Sequence, residues 1–172
     1  LQDLGVRLIL DFIMFDAEAD LSDLTENLEF LVRHGLDSYV PWDHLRSHLT
    51  PYAGTPIRTR YEQDLGLSLP ADRLPEPAEL LQDSDVREVY TRMEEFFSRH
   101  DRLGRALRSL EQAVGTTPWG QDRARKTLLS MTLRRLPFVV LRSLLDQAQA
   151  GGATDLDTCI PRFERDGGTR IA

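Results

Sequence analysis

A single acid, Asp11, interrupts the apolar stretch at residues 6–15. A carboxylate among isoleucine and phenylalanine side chains must pair with a cation, accept several hydrogen bonds or take up a proton. Such a group can bind hydroxyls or an amine of a ligand, which makes Asp11 a candidate for a functional site. A purely structural ion pair with Arg7 or Arg46 explains the same acid, and the sequence leaves both interpretations open.

Three further polar side chains, His44, Arg46 and His48, follow at alternate positions. If this segment is helical, the two histidines share a face and could bind a metal, but no HExxH motif accompanies them. If it is a strand, all three form a polar stripe suited to an anion or a cofactor. For each histidine alone, an ordinary surface or capping position is the simpler alternative.

The elements that carry these residues are predicted from hydrophobic periodicity. Residues 6–15 are apolar on both faces except near the acid, which is typical of a parallel strand covered on both sides. A buried helix is the competing interpretation. Residues 39–50 are predicted to be a second strand, with a short helix from Pro41 as the alternative. We expect the two strands to lie side by side in parallel, with Asp11 at their carboxyl edge.

Between the two strands the sequence predicts a helix that ends near His34, with Asp20 or Ser22 as its N-cap and Gly35 after its end. Residues 52–56 are predicted to be a turn, and residues 57–65 a short helix. Three prolines mark residues 69–77 as a linker. Residues 78–114 and 121–150 are strongly helical, and the second stretch is expected to break at Pro137.

Composition narrows the class of protein. The chain has 172 residues and a net charge of -7, which disfavours a nucleic-acid partner. The cluster at Arg123, Arg125 and Lys126 is interpreted as a solvated helix face. Because Cys159 is the single cysteine, a disulfide framework and a CxxC metal motif are excluded within this sequence. The apolar run at residues 6–15 is too short to span a bilayer, so no membrane partner is expected and a cytoplasmic location is the default.

Three motifs in order resemble the late barrel strands of radical S-adenosylmethionine enzymes. They are DFIMFD at residues 11–16, LTENLEFL at 24–31 and TPYAGTP at 50–56. The resemblance is closest to the large group whose members often carry an N-terminal cobalamin-binding domain. It implies an α/β fold: the last βαβ part of a partial (β/α) barrel at residues 1–68, the linker at 69–77, and an all-helical C-terminal domain at 78–172.

The resemblance also implies a site and its cofactors. Asp11 would lie near bound S-adenosylmethionine at the end of a barrel strand. The other residues expected to face this cofactor are Ile13, Phe15, His44, Arg46 and His48. The three-cysteine loop that binds the [4Fe–4S] cluster in this family is not in this sequence, so no metal ligand is assigned here. We therefore expect the chain to be part of a longer protein that provides the cluster.

In an intact enzyme of this kind, the cluster cleaves S-adenosylmethionine to give a radical that modifies a small-molecule or peptide substrate. Where cobalamin is also bound, methyl transfer is the usual outcome. The interpretation from another class is a non-enzymatic helical protein-interaction module, in which Asp11 only forms an ion pair.

Overall fold

The computed structural model describes residues 9–118 and 120–159, and regular structure in these ranges is helical. The helices are α1 (Leu21–Arg33), a 3₁₀ helix (His44–Arg46), α2 (Pro56–Gln63), α3 (Pro77–Leu80), α4 (Ser84–Arg99), α5 (Asp101–Thr116), α6 (Gln121–Arg134) and α7 (Leu136–Gln149). No residue in the described ranges belongs to a β-strand.

The predicted βαβ part of a barrel is therefore wrong. Residues 9–15 form no strand, and their one ladder-type pairing with the 39–50 segment is an isolated parallel bridge between Phe15 and His48. The physical reason lies in the second segment, which turns instead of running straight. The backbone N–H of His44 donates to the Pro41 carbonyl (3.1 Å), and that of Ser47 donates to the His44 carbonyl (2.9 Å). These local bonds use groups that a sheet ladder would need.

Helix α1 confirms the prediction made from its cap. The Asp20 side chain accepts hydrogen bonds from the backbone N–H groups of Ser22 and Asp23, and the Asp23 carboxylate accepts one from the Asp20 N–H. This reciprocal pair satisfies donors that the first helical turn leaves open. Gly35 follows with φ of 64°, a conformation that favours glycine after a helix end.

The long helical stretches are confirmed, with interruptions. The first contains α3, α4 and α5, and His100 separates α4 from α5. The second divides into α6 and α7 at Arg135, and Pro137 lies in the first turn of α7. A proline is tolerated there because its missing N–H would have no helical acceptor.

One hydrophobic core connects the first third of the chain with the later helices. Helix α7 packs against both α1 and α4, and α5 packs against α6. The core cluster joins Leu24, Leu28 and Leu31 of α1 to apolar residues of α4 and α7. The division into parts at 1–68, 69–77 and 78–172 stays a prediction.

The proline-rich segment is anchored to α2. The largely buried guanidinium of Arg58 donates to the Leu69 carbonyl (3.2 Å) and the Pro70 carbonyl (2.8 Å), and it pairs with Glu62. These bonds hold the start of the 69–77 segment against the preceding helix.

Among the described helices, none is both long enough and apolar enough to cross a membrane.

Candidate functional site

Two chain segments bring the candidate residues together. The backbone N–H of Leu10 donates to the Tyr39 carbonyl (3.1 Å), and those of Met14 and Phe15 donate to the Ser47 carbonyl (3.0 and 3.1 Å). The N–H of Leu49 returns a bond to the Phe15 carbonyl (2.9 Å). Four polar side chains lie along this junction, and two side chains of α4 contact them. We call this set the polar edge: Asp11, His44, Arg46 and His48 from the junction, and Tyr90 and Glu94 from α4.

Asp11 is not buried, which corrects the expectation from its apolar neighbours. Its side chain is 82% exposed and lies 2.5 Å from Nδ1 of His44, whose side chain is 39% exposed. The predicted ion pair with Arg46 does not form, and Arg7 lies outside the described residues. A carboxylate can only accept, so in the neutral imidazole Nδ1 carries the proton and Nε2 is the acceptor. The pair thus presents an oriented imidazole at the surface.

Arg46 instead belongs to a network centred on Glu94. Its Nη1 donates to Glu94 Oε2 (2.8 Å), and the Tyr90 hydroxyl donates to Glu94 Oε1 (3.1 Å). The Arg46 guanidinium also lies 5.3 Å from the centroid of the Phe97 ring. Burial raises the pKa of Tyr90, and the charge of Glu94 and its hydrogen bond raise it further. Tyr90 therefore stays a neutral donor at physiological pH.

His48 lies beside this network and favours its neutral form. Its ring meets the Tyr90 ring edge to face, with centroids 6.2 Å apart, and Thr50 Oγ1 lies 3.4 Å from His48 Nε2. Burial lowers the pKa of His48 below its ordinary value of 6.5, and the charges of Glu94 and Glu76 oppose that shift.

The pKa of His48 gives a testable pH dependence of stability. Because the folded-state pKa is depressed, the stabilising effect is complete above 6.5 and is lost as pH falls through the folded-state value. We expect the free energy of unfolding to decrease below pH 6.5 and this decrease to be smaller in His48→Gln. Urea unfolding at a series of pH values from about 7.5 to about 5 measures this pH dependence of the free energy of unfolding. His34→Gln, at an exposed helix end, is the control, and parallel pH curves for wild type and His48→Gln would refute the effect.

The remaining two predicted site residues differ in their surroundings. The Ile13 residue is 50% exposed, whereas Phe15 is fully buried in the core and meets the Tyr90 ring edge to face at 5.0 Å. Phe15 therefore packs beneath the polar edge as part of the core. Its role as a cofactor contact, like those of the other five residues, stays a prediction.

The sequence alone did not identify Tyr90 and Glu94, which belong to α4. Within the predicted helical stretch at residues 78–114, Tyr90 falls in a row of apolar residues at helical spacing, for which core is the simplest interpretation. The sequence signal that could have identified Tyr90 and Glu94 is the position of the acid, because Glu94 directly follows the apolar Met93 and lies four residues after Tyr90. That spacing puts the carboxylate and the hydroxyl on one helix face.

The loop after residues 9–15 is held by α2. The Tyr61 hydroxyl donates to Asp16 Oδ1 (3.2 Å), and the Arg60 guanidinium bonds to Glu18. Burial, followed by the negative charge of Asp16, raises the pKa of Tyr61 to about 12. The helix that follows the TPYAGTP turn therefore fixes the acidic loop next to the polar edge.

The side chains of the described residues do not fit an iron–sulfur cluster. Among them, no group of three His, Cys, Asp or Glu side chains could hold a metal ion. Cys159 is buried, and its Sγ lies within hydrogen-bond distance of Gln147 and Asp155. Cluster ligands would have to come from elsewhere.

Comparisons with known proteins identify no relative, since no protein-family model, curated protein or solved structure matches the chain.

Proposed function

We propose that this chain is the C-terminal part of a radical S-adenosylmethionine enzyme and that the polar edge contacts S-adenosylmethionine. The observation that carries the proposal is the Asp11–His44 pair. The resemblance assigns both residues to the same cofactor although they are 33 positions apart, and their side chains lie within hydrogen-bond distance. Held elsewhere in the intact protein, the cluster with S-adenosylmethionine would supply radical chemistry for modification of a small-molecule or peptide substrate.

The chemistry of the pair fits such a ligand. The exposed carboxylate of Asp11 can accept hydrogen bonds from the ribose hydroxyls or the ammonium group. Nε2 of His44, oriented by that carboxylate, can accept one more. Arg46 and His48 line the same edge, where Glu94 holds the guanidinium in place and the partly buried imidazole stays neutral.

The missing N-terminal part of the same protein is the proposed partner of residues 9–13. Ile9 and Ile13 are about half exposed, and no described residue accepts a hydrogen bond from the backbone N–H of Asp11 or Ile13. A segment with exposed apolar side chains, and with backbone donors from which no described residue accepts, is suited to pairing with an extended segment. That part would hold the cluster and, where it is used, cobalamin for a methylation outcome. A cytoplasmic location belongs to the proposal, because a reducing compartment keeps cluster-binding thiols available.

The test uses the full-length protein, purified and reconstituted without oxygen. We expect an iron–sulfur absorbance that bleaches on oxidation. Asp11→Asn should weaken S-adenosylmethionine binding about tenfold, since a hydrogen bond to a charged group is removed. Asp146→Asn, the same change at an exposed position of α7, should leave binding unchanged. A full-length chain without a cysteine triad, or with no cluster after reconstitution, would contradict the proposal.

A helical protein-interaction module is the second candidate, and exposed leucines on α6 favour it. Leu128 is 68% exposed and its neighbour Leu129 is 48% exposed. Large apolar side chains at adjacent exposed positions are common at protein interfaces. This function needs no cofactor, so the same absorbance experiment separates the two candidates.

A further inference from the structure

A small cavity of about 130 Å³ lies where the segment before the 3₁₀ helix meets α4 and α5. Its walls include Trp42 and Arg46 from the first segment, Phe97 from α4, and Gly104 and Arg108 from α5. Cavities of this size hold a group on the order of six heavy atoms, such as a benzene ring. The lining here is charged, however, so the group that fits must be polar.

Trp42 brings to this cavity a donor from which no described residue accepts a hydrogen bond. The residue is only 4% exposed, and no described residue accepts a hydrogen bond from its indole N–H. The Cδ1–Nε1 edge of the indole faces Gly104, where an added Cβ would lie 2.8 Å from both atoms. The indole nitrogen itself keeps some access to the cavity, so a ligand placed there can accept its hydrogen bond.

Both signs of charge surround the cavity. Arg46 and Arg108 provide guanidinium groups, and Asp43 and Asp101 provide carboxylates, although one oxygen of Asp101 also pairs with Arg105 (2.7 Å). Arg108 makes only a long contact, 3.8 Å, with Asp43 Oδ2, so most of its five donors stay open to a ligand. A ligand that carries an anion and a cation close together would match this lining better than either ion alone.

We propose that this cavity binds the zwitterionic head group of an α-amino acid. The carboxylate accepts from Arg108 and from the Trp42 indole N–H, and the ammonium group donates to Asp43 and Asp101. The head group up to Cβ has about six heavy atoms, which matches the space. It can belong to a free amino acid or to S-adenosylmethionine, which carries the same zwitterion. The proposal requires neither the cluster nor the Asp11–His44 pair, so it can fail independently of the proposed function.

Titration of the ¹⁵N-labelled chain tests the proposal at the Trp42 indole N–H, whose signal is assigned by its loss in Trp42→Phe. We expect a saturable shift with L-alanine and about tenfold weaker binding of acetate or of methylammonium, each of which lacks one charge. S-adenosylmethionine should shift the same signal, and adenosine should not. Absence of a shift with L-alanine and S-adenosylmethionine, equal binding of acetate, or a shift with adenosine would overturn the proposal.

Variants on α5 locate the binding. Arg108→Gln should weaken L-alanine binding about tenfold, because a charged donor is lost. Arg102→Gln, an exposed residue of the same helix that does not line the cavity, should leave it unchanged. Gly104→Ala fills the space beside Trp42 and should abolish binding, provided that the variant folds. Equal affinities of Arg108→Gln and wild type would contradict the site.

Discussion

Replacing Arg134 with alanine is expected to lower the free energy of unfolding by about 3 kcal/mol. Its guanidinium is almost fully buried; Nε donates to Glu111 Oε1 (2.6 Å) and Nη1 donates to the Ser38 carbonyl (3.0 Å). The bond to Ser38 connects the end of α6 to the loop that follows α1. Removing the arginine therefore leaves a largely buried carboxylate without this cation and a buried carbonyl without this donor, and both cost free energy.

Urea unfolding of the Arg134→Ala variant measures this effect through the shift of the midpoint at an unchanged slope. Arg33→Ala is the matched control, because Arg33 is well exposed and lies 3.6 Å from Glu29 within the same helix. Surface pairs of this kind contribute about 0.5 kcal/mol or less. Equal stability of the two variants would mean that the bonds of Arg134 to Glu111 and Ser38 do not stabilise the protein in solution.

Replacing Leu28 with alanine is expected to cost a similar amount, about 3 kcal/mol. Leu28 is buried on the face of α1 that packs against α7, so the shorter side chain leaves a cavity as well as losing apolar burial. Because this core joins the first third of the chain to the later helices, the loss should appear in the unfolding of the whole protein.

Two measurements follow the Leu28→Ala variant, made together with Trp119→Phe so that Trp42 is the single tryptophan: tryptophan fluorescence, which then reports on Trp42, and far-ultraviolet circular dichroism, which reports on all helices. The two transitions should shift together, as expected for one cooperative unit. Leu128→Ala, the same substitution at an exposed position, should change stability by less than about 0.5 kcal/mol. If only one signal responds to Leu28→Ala, the two parts of the chain fold separately.

The helices show how far local sequence signals reach. The structure confirms the cap at Asp20, one of the two predicted candidates, and the glycine after α1, and the break predicted at Pro137 lies two residues earlier, at Arg135. These signals work within a few residues, because a cap or a proline acts on the backbone groups next to it. For the same reason, these signals can be recognised in the sequence without knowledge of the tertiary structure.

The predicted strands show where such signals stop. Residues 9–15 have the composition of a covered strand, yet a strand requires a partner that supplies a continuous ladder. The partner segment turns after Pro41 into a 3₁₀ helix, so a single bridge remains. Alternation of side chains could not reveal this outcome, because it depends on which hydrogen bonds the second segment makes with itself.

The sequence by itself determined α1 with both of its ends, the long helical stretches after residue 78 and the residue types available for a site. Tertiary structure decided that Asp11 is exposed and paired with His44, that Arg46 pairs with Glu94, and that Phe15 is core. The reason is that burial and ion pairing depend on residues brought together from distant positions. A carboxylate's neighbours along the chain therefore say little about its neighbours in space.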